Sequence, residues 1–336
     1  MTETPDNATS TAADAAIDGK VLYALRHSSA PATVDALAAR THLQSQELLA
    51  SLDRLVAAGC MISRGPEGVS LSATGLGVWS DFIRATTGPD RVVEVYRQTS
   101  STQDAARRLI AGIGAAGADR ALIFADEQTA GRGRMGRSWT APPGSAVLVS
   151  RVAKLNQRQM QSVECLPLIA AVAVVETIDL LAQGRSEPAR IKWPNDVFVQ
   201  RRKIAGILVE MMPREQVAII GIGVNVGLRA EQLPAELKDK ATSLAMLGIE
   251  GDRLSVAKTL VHQLDGWLAA DADWDRAIRT WRARSLYRGD ELVTFLHDNR
   301  RTTGYVVDVD PAAGLIVRTQ TGELVNLPAA TTSVVP

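Results

Sequence analysis

Gln128-Thr-Ala-Gly131-Arg132-Gly133-Arg134-Met135-Gly136-Arg137-Ser138-Trp139 carries the spacing Gly-x-Gly-x-x-Gly. A dinucleotide-binding turn with that spacing opens into a helix whose N-terminal N–H groups meet a pyrophosphate. Here the chain runs on as Ser138-Trp-Thr-Ala-Pro-Pro-Gly144, which opens no helix. No Gly-Lys-Ser/Thr closes it as a Walker A loop either. What remains is a glycine loop with three guanidinium groups inside a strand-rich region. Glycines let backbone N–H groups approach an anion closely, and arginines grip carboxylate and phosphate oxygens in pairs.

Outward from the loop, Val-Val-Glu-Val-Tyr96, Ala121–Glu127, Ala146–Val152, Arg190–Trp193, Asp196–Val199, Lys203–Met211 and Val217–Val226 read as strands. Helical periodicity falls near 102–111, 158–182, 253–270 and 273–284. Residues 91–284 are therefore expected to form a mixed α/β domain in an α+β chain. Residues 285–336 hold short strands between turns, the pattern of a small all-β barrel. Before the domain, residues 17–80 run helix, helix, turn, longer helix, then a hairpin about Gly65–Gly68, the order of a winged helix-turn-helix. Residues 81–90 read as a linker, and 1–16 as a polar, disordered tail without the features of a signal peptide.

The 336 residues, 46% hydrophobic and 22% charged, can bury sizeable cores, and at roughly 150 residues per domain allow two or three domains. With 37 basic and 37 acidic side chains, any nucleic-acid role must come from a local patch. Two cysteines exclude a disulfide scaffold, and four dispersed histidines give no metal cluster. The longest apolar run, Leu166–Val175, stops at Glu176, short of the roughly 20 residues a membrane span needs, so no membrane and a cytoplasmic location are expected.

In Arg190-Ile-Lys192-Trp193-Pro194-Asn195-Asp196 a proline interrupts a strand, which bends it and exposes Asn195 and Asp196. The returning strand brings Lys203 into the same sheet as Lys192 and Asp196. Two lysines and an aspartate near an arginine loop suit an anionic, phosphate-bearing substrate. Ser101-Thr102-Gln103 precedes a helix, where hydroxyls cap helices or bond a neutral polar ligand. Gly221-Ile-Gly223-Val-Asn225 ends an apolar strand.

Together these segments resemble the biotin protein ligases of the bacterial class with an N-terminal winged helix. The family's Ser-Thr-Asn stands as Ser101-Thr102-Gln103, its Gly-Arg-Gly-Arg-x-Gly-Arg as Gly131–Arg137 after Gln128. Its Lys-Trp-Pro-Asn-Asp is Lys192–Asp196, its Lys-x-Ala-Gly-Ile is Lys203–Ile207, and its Gly-x-Gly-x-Asn is Gly221–Asn225. Gln103 departs from the usual Asn. The resemblance implies a class II synthetase-like catalytic domain, an SH3-like C-terminal barrel, and formation of biotinyl-5′-AMP from biotin and ATP. Biotin then passes to a lysine of a biotin carboxyl carrier protein, that of acetyl-CoA carboxylase. It implies biotin contacts from Ser101, Thr102, Gln103, Gln128, Arg132, Gly133, Arg134 and Lys203. Arg134, Arg137, Lys192, Asn195 and Asn225 would meet ATP or the adenylate, with Mg²⁺ near Asn195 and Asp196. The catalytic set would be Arg134, Lys192, Asp196 and Lys203. For members that repress their own operon it further implies a homodimer and DNA. A ligand-responsive regulator without catalysis and a lipoate–protein ligase are the alternative readings.

DNA is where shape and charge disagree. Over residues 17–80 five basic side chains face five acidic ones, and only Arg54 rises from the would-be recognition helix, with Arg64 in the wing and Arg40 and Arg26 nearby. Since phosphate neutralisation supplies most DNA affinity, specific binding is expected to be weak or absent. A mobility-shift titration of adenylate-loaded protein on the promoter of its own biotin genes checks this. Binding tighter than about 10⁻⁸ M at physiological salt would overturn it.

Overall fold

Alanine is the strongest helix former, and the run Ala12-Ala-Asp-Ala-Ala16 starts a helix ahead of the periodic residues Val21, Leu22 and Leu25. In this computed structural model, which describes residues 12–26, 28, 30–88, 90–249, 251–287, 289, 291–298 and 300–335, α1 spans Ala12–Arg26. The tail expected over 1–16 is thus helical from Ala12, and its first eleven residues lie outside the described residues. Thr33 caps α2 (Val34–Thr41) by accepting from the Ala36 N–H at 3.2 Å. A capping box between Gln44 and Glu47 starts α3 (Ser45–Ala57). β1 (Met61–Gly65) and β2 (Gly68–Ala73) form the antiparallel hairpin that follows.

The linker expected over 81–90 is mostly helix: α4 spans Trp79–Thr87, and Trp79, Phe82 and Ile83 are buried. The ring of Trp79 meets Phe124 edge-on at 5.4 Å. Arg26, at the end of α1, grips Asp252 and Ser255 and lies over Phe82. Arg253 pairs with Asp126 and covers Trp79. One apolar core consequently runs from Val21 of the first helix to Leu327 near the C-terminus.

The central unit adds β3 (Val93–Thr99), α5 (Thr102–Gly117), β4 (Leu122–Gln128), β5 (Ala146–Lys154), the single turn α6 (Gln157–Met160), α7 (Leu166–Ala182), β6 (Arg190–Lys192), β7 (Asp196–Val199), β8 (Arg202–Met212), β9 (Val217–Asn225), α8 (Arg253–Leu268) and α9 (Trp274–Arg284). Its seven strands stand in the order β3-β4-β5-β9-β8-β7-β6; only β3 and β4 are parallel. Alternate residues of a strand face opposite sides. Ile123, Ala125 and Ile219 accordingly pack with Ala106 and Ile110 of α5. Leu122, Phe124, Ile220 and Ile222 join the main core with α7 and α8. The stretch Val163–Ala182 is long and apolar enough by composition to cross a membrane, against the sequence expectation. Twelve of the seventeen residues of α7 are buried in the protein instead.

β10 (Leu292–His297), β11 (Arg300–Asp310), β12 (Gly314–Thr319), β13 (Leu324–Leu327) and β14 (Thr332–Val334) form an antiparallel five-stranded sheet ordered β13-β12-β11-β10-β14. Leu286 donates to the Ile191 carbonyl at 2.8 Å, so the chain enters this sheet along the edge of β6, beside the Trp193–Pro194 peptide, which is cis.

Arg26 is a buried tie between the first helix and α8, with a side chain only 6% exposed. Arg26→Ala is therefore expected to cost about 1–3 kcal/mol of unfolding free energy, the worth of a charge-assisted hydrogen bond. Urea denaturation measures it; an unchanged midpoint would show that the helical module is merely tethered.

Candidate active site

Two of the central strands lack side chains where the cleft opens. Gly206 and Gly223 face each other across β8 and β9, and Gly221 stands opposite Leu208. A Cβ on Gly206 or Gly223 would come within 2.8 or 2.5 Å of the Trp139 ring; one on Gly221 would lie 2.5 Å from Gln103 Nε2. The bare strands are thus a floor on which Trp139 and Gln103 rest. Neither Trp139 Nε1 nor Gln103 Oε1 has a partner among the described residues, although both atoms are buried. A buried, unpaired donor and acceptor in one cleft are costly unless a ligand satisfies them.

The polar end is built by the first turn of α5. Ser101 caps that helix. Thr102 donates its N–H to Gln128 Oε1 at 2.8 Å, and its hydroxyl accepts from Ser150 at 2.8 Å. Gln103 reaches the Leu208 carbonyl at 2.8 Å, a reach that uses its extra methylene over Asn. Ser101, Thr102 and Gln103 are all nearly inaccessible to solvent.

The other end is cationic. Arg134, Arg137, Lys192 and Lys203 line the cleft, and Asp196 is the one carboxylate among the described residues that line it. Lys203 Nζ lies 2.6 Å from Asp196 and over the Trp139 ring. Asn195 accepts from Arg134 at 3.4 Å and donates to the Ile207 carbonyl. Burial lowers the pKa of Arg134, and the neighbouring Arg137 lowers it further, while Asp196 opposes. Lys192 is pushed below the ordinary lysine value by burial first, then by Lys203, Arg137 and Arg201, again against Asp196.

The structure brings Ser101, Thr102, Gln103, Gln128, Arg132, Gly133, Arg134, Arg137, Lys192, Asn195, Asp196 and Lys203 to this one cleft. Asn225 is the exception. It is buried beyond the lining, and its amide is spent on the Thr242 carbonyl at 3.0 Å, tying down the segment that follows β9. Arg54 is held by Asp18 and Asp14, and Arg64 by Asp53, so both cations expected on a DNA face are neutralised within the module. Trp139, Gly206 and Gly221 were not singled out as site residues, though glycines two apart in a strand signal close approach. Nor were Thr332, Ser333 and Val334, which line the cleft from the C-terminal sheet, while the carbonyl of Ala329 accepts from Arg134. No local sequence signal marks these.

A neutral polar pocket running into a cluster of four cations suits a molecule with an uncharged head and a carboxylate that meets phosphate. The chain belongs to the biotin/lipoate A/B protein ligase family, whose model matches residues 90–226. The biotin–acetyl-CoA-carboxylase ligase of Mycobacterium tuberculosis is 32% identical over 250 residues, covering 70% of this chain and 90% of that protein. The bifunctional ligase/repressor BirA of Bacillus spizizenii is 39% identical over 168 residues, 49% of each chain, so this match spans about half of that relative. In structure, the Aquifex aeolicus biotin protein ligase in complex with biotin and ATP superposes with a TM-score of 0.59 at 28% identity, covering 73% of this chain and 98% of that one.

Lys192 has a lowered pKa and faces the cleft, so affinity for a phosphate-bearing ligand such as ATP is expected to fall as pH rises through a value below 10.5. In Lys192→Arg the guanidinium stays charged throughout, and that alkaline limb should vanish from calorimetric titrations. A limb that persists in the variant belongs to another group.

Proposed function

We propose that the protein is an ATP-dependent biotin–protein ligase. It would join the biotin carboxylate to AMP with release of pyrophosphate, then pass biotin to one lysine of a biotin carboxyl carrier protein. The observation that carries this reading is the meeting, in one cleft, of an orphaned amide acceptor and indole donor with four cations around one carboxylate.

In that reading Ser101, Thr102, Gln103 and Gln128 bond the uncharged ureido end, and the glycine floor with Trp139 encloses the rings. Arg134 and Lys192 hold the carboxylate against the α-phosphate and offset the charge that develops there. Arg137 meets the remaining phosphates. In the second step Asp196 orients the acceptor lysine or takes its proton, and Lys203 steadies Asp196. The backbone of Arg132–Arg134 lies over the product and keeps water from the anhydride.

Among the described residues no group of three acidic, histidine or cysteine side chains could hold a resident metal. Asn195 and Asp196 supply one amide and one carboxylate oxygen. Magnesium accepts such a sparse set when it arrives on nucleotide phosphates, and it would there neutralise phosphate charge.

We read residues 17–80, extended to Ala12, as a winged helix-turn-helix retained as a packing module, 91–284 as the catalytic domain and 285–336 as an SH3-like barrel. The reaction would be cytoplasmic.

Biotin-dependent exchange of labelled pyrophosphate into ATP tests the first half-reaction. Exchange is expected with biotin and not with lipoate; the reverse would replace this reading with the lipoate one, and no exchange with either would overturn it. For the second half, Asp196→Ala is expected to slow transfer from supplied biotinyl adenylate by at least about tenfold, within the usual worth of general base catalysis. Normal transfer by that variant would remove Asp196 from the chemistry.

A further inference from the structure

The hairpin that carries Asp196 and Lys203 turns through only two residues. β7 ends at Val199 and β8 begins at Arg202, and the intervening Gln200 and Arg201 both stand in the left-handed region, at φ 50° and 57°. Two-residue hairpin turns of this hand favour Asn-Gly, because a Cβ is strained there. Neither residue here is glycine. Arg201 instead reaches out of the hairpin: its Nη2 donates to Glu291 Oε1 at 2.6 Å, and its Nη1 to the other carboxylate oxygen at 3.5 Å. Glu291 immediately precedes β10. We propose that Arg201, held by Glu291, is a positioning residue for the Asp196–Lys203 pair, fixing the turn that sets the register of β7 on β8. The proposal deepens the ligase reading of the cleft and rests on it.

That register decides which side chains face the cleft. Side chains alternate along a strand, so Lys203 and Gly206, three apart, would point to opposite faces of a regular one. Here they share a face: a Cβ on Gly206 would lie 3.2 Å from Lys203 Nζ. The reason is a bulge. Val199 pairs with Arg202 and Phe198 with Lys203, but Val197 pairs with Ala205 and Asp196 with Gly206, which leaves Ile204 as the extra residue of β8. A bulge re-aims side chains, and this one accompanies the approach of Lys203 Nζ to Asp196 at 2.6 Å. In a hairpin the turn fixes the register, and a slip of one residue would send Asp196 to the far face. The segment leading into β10 holds the adjoining strand as well. Leu286 donates to the Ile191 carbonyl at 2.8 Å, and the Tyr287 hydroxyl to the Trp193 carbonyl at 3.5 Å. Arg201 and Glu291 add a tie at the turn itself. The hydrogen bond to Glu291 is the first of the effects that raise the Arg201 pKa, so the guanidinium stays charged there. Placing a reacting pair acts on the rate of the step the pair serves, and not on binding of the carrier.

The test uses the full chain and the variants Arg201→Gly, Arg201→Lys and Glu291→Gln. Glycine suits the backbone of the turn while removing its anchor, so Arg201→Gly should not lower the urea midpoint. Transfer from supplied biotinyl adenylate to a purified biotin carboxyl carrier domain should nevertheless slow about fivefold in kcat, the upper range for an exposed ion pair, with the carrier KM within about twofold. Glu291→Gln should slow transfer to the same extent, and the double variant no more than either single one. Arg201→Lys, which keeps the charge, should recover most of the rate. Amide hydrogen exchange over residues 196–206 should quicken in Glu291→Gln, whose turn residues are unaltered. Wild-type transfer by Arg201→Gly overturns the proposal; so does slowing that Glu291→Gln does not share, or a loss carried by the carrier KM alone. If Arg201→Gly does not fold, Glu291→Gln and Arg201→Lys decide by the same readouts. Failure of the ligase reading would show separately, as neither pyrophosphate exchange nor transfer in the wild type, while amide exchange in Glu291→Gln would still judge the tie.

Discussion

A β-sheet ordinarily presents side chains on both faces, and a flat organic ligand can lie against the strands only where those side chains are missing. Gly206, Gly221 and Gly223 remove them at adjoining positions of two neighbouring strands. Everything else at the cleft follows from that bare patch. Trp139 can fold down onto it, which sets where the glycine–arginine loop must return. Gln103 can extend across it to the Leu208 carbonyl, which absorbs the additional methylene that separates it from Asn. A single Cβ at Gly223 would meet the indole and push the loop off its seat.

Charge is partitioned as deliberately as shape. Arginines whose guanidinium groups have carboxylate partners, such as Arg26, Arg132, Arg151 and Arg253, tie one element to another. Arg134, whose guanidinium donates to Asn195 and to the Ala329 carbonyl, and Arg137 line the cleft. The same economy explains the N-terminal module. Arg26, Arg54 and Arg64 are held by Asp252, by Asp14 and Asp18, and by Asp53, and helices α1–α3 join the central unit through a shared core.

Much of this was legible in the sequence. The seven central strands show as continuous or alternating apolar runs because both faces of the sheet are covered. The motifs at Ser101, Gly131, Lys192, Lys203 and Gly221 converge because each stands at or near a strand or helix end facing the same side. The stretch 81–90 reads as a linker because it ends in Gly-Pro, although Trp79, Phe82 and Ile83 carry helical spacing and the helix runs to Thr87. The resemblance alone places Asn225 with the ligand, and only the fold reveals the Thr242 carbonyl as its partner. The contribution of Thr332–Val334 was invisible, since β14 pairs with β10 across a long stretch of intervening chain.

The central helix α7 imposes a demand on synthesis. Val163–Ala182 has the length and composition that a membrane accepts. Most of what buries it (β6 to β9, α8 and α9) is encoded downstream. On the ribosome the helix therefore emerges with most of its apolar surface uncovered and must await the second half of the sheet. During that interval it is a target for membrane insertion or for self-association. A nascent chain of this kind depends on a chaperone, or on rapid elongation, more than its finished and well-packed form would reveal.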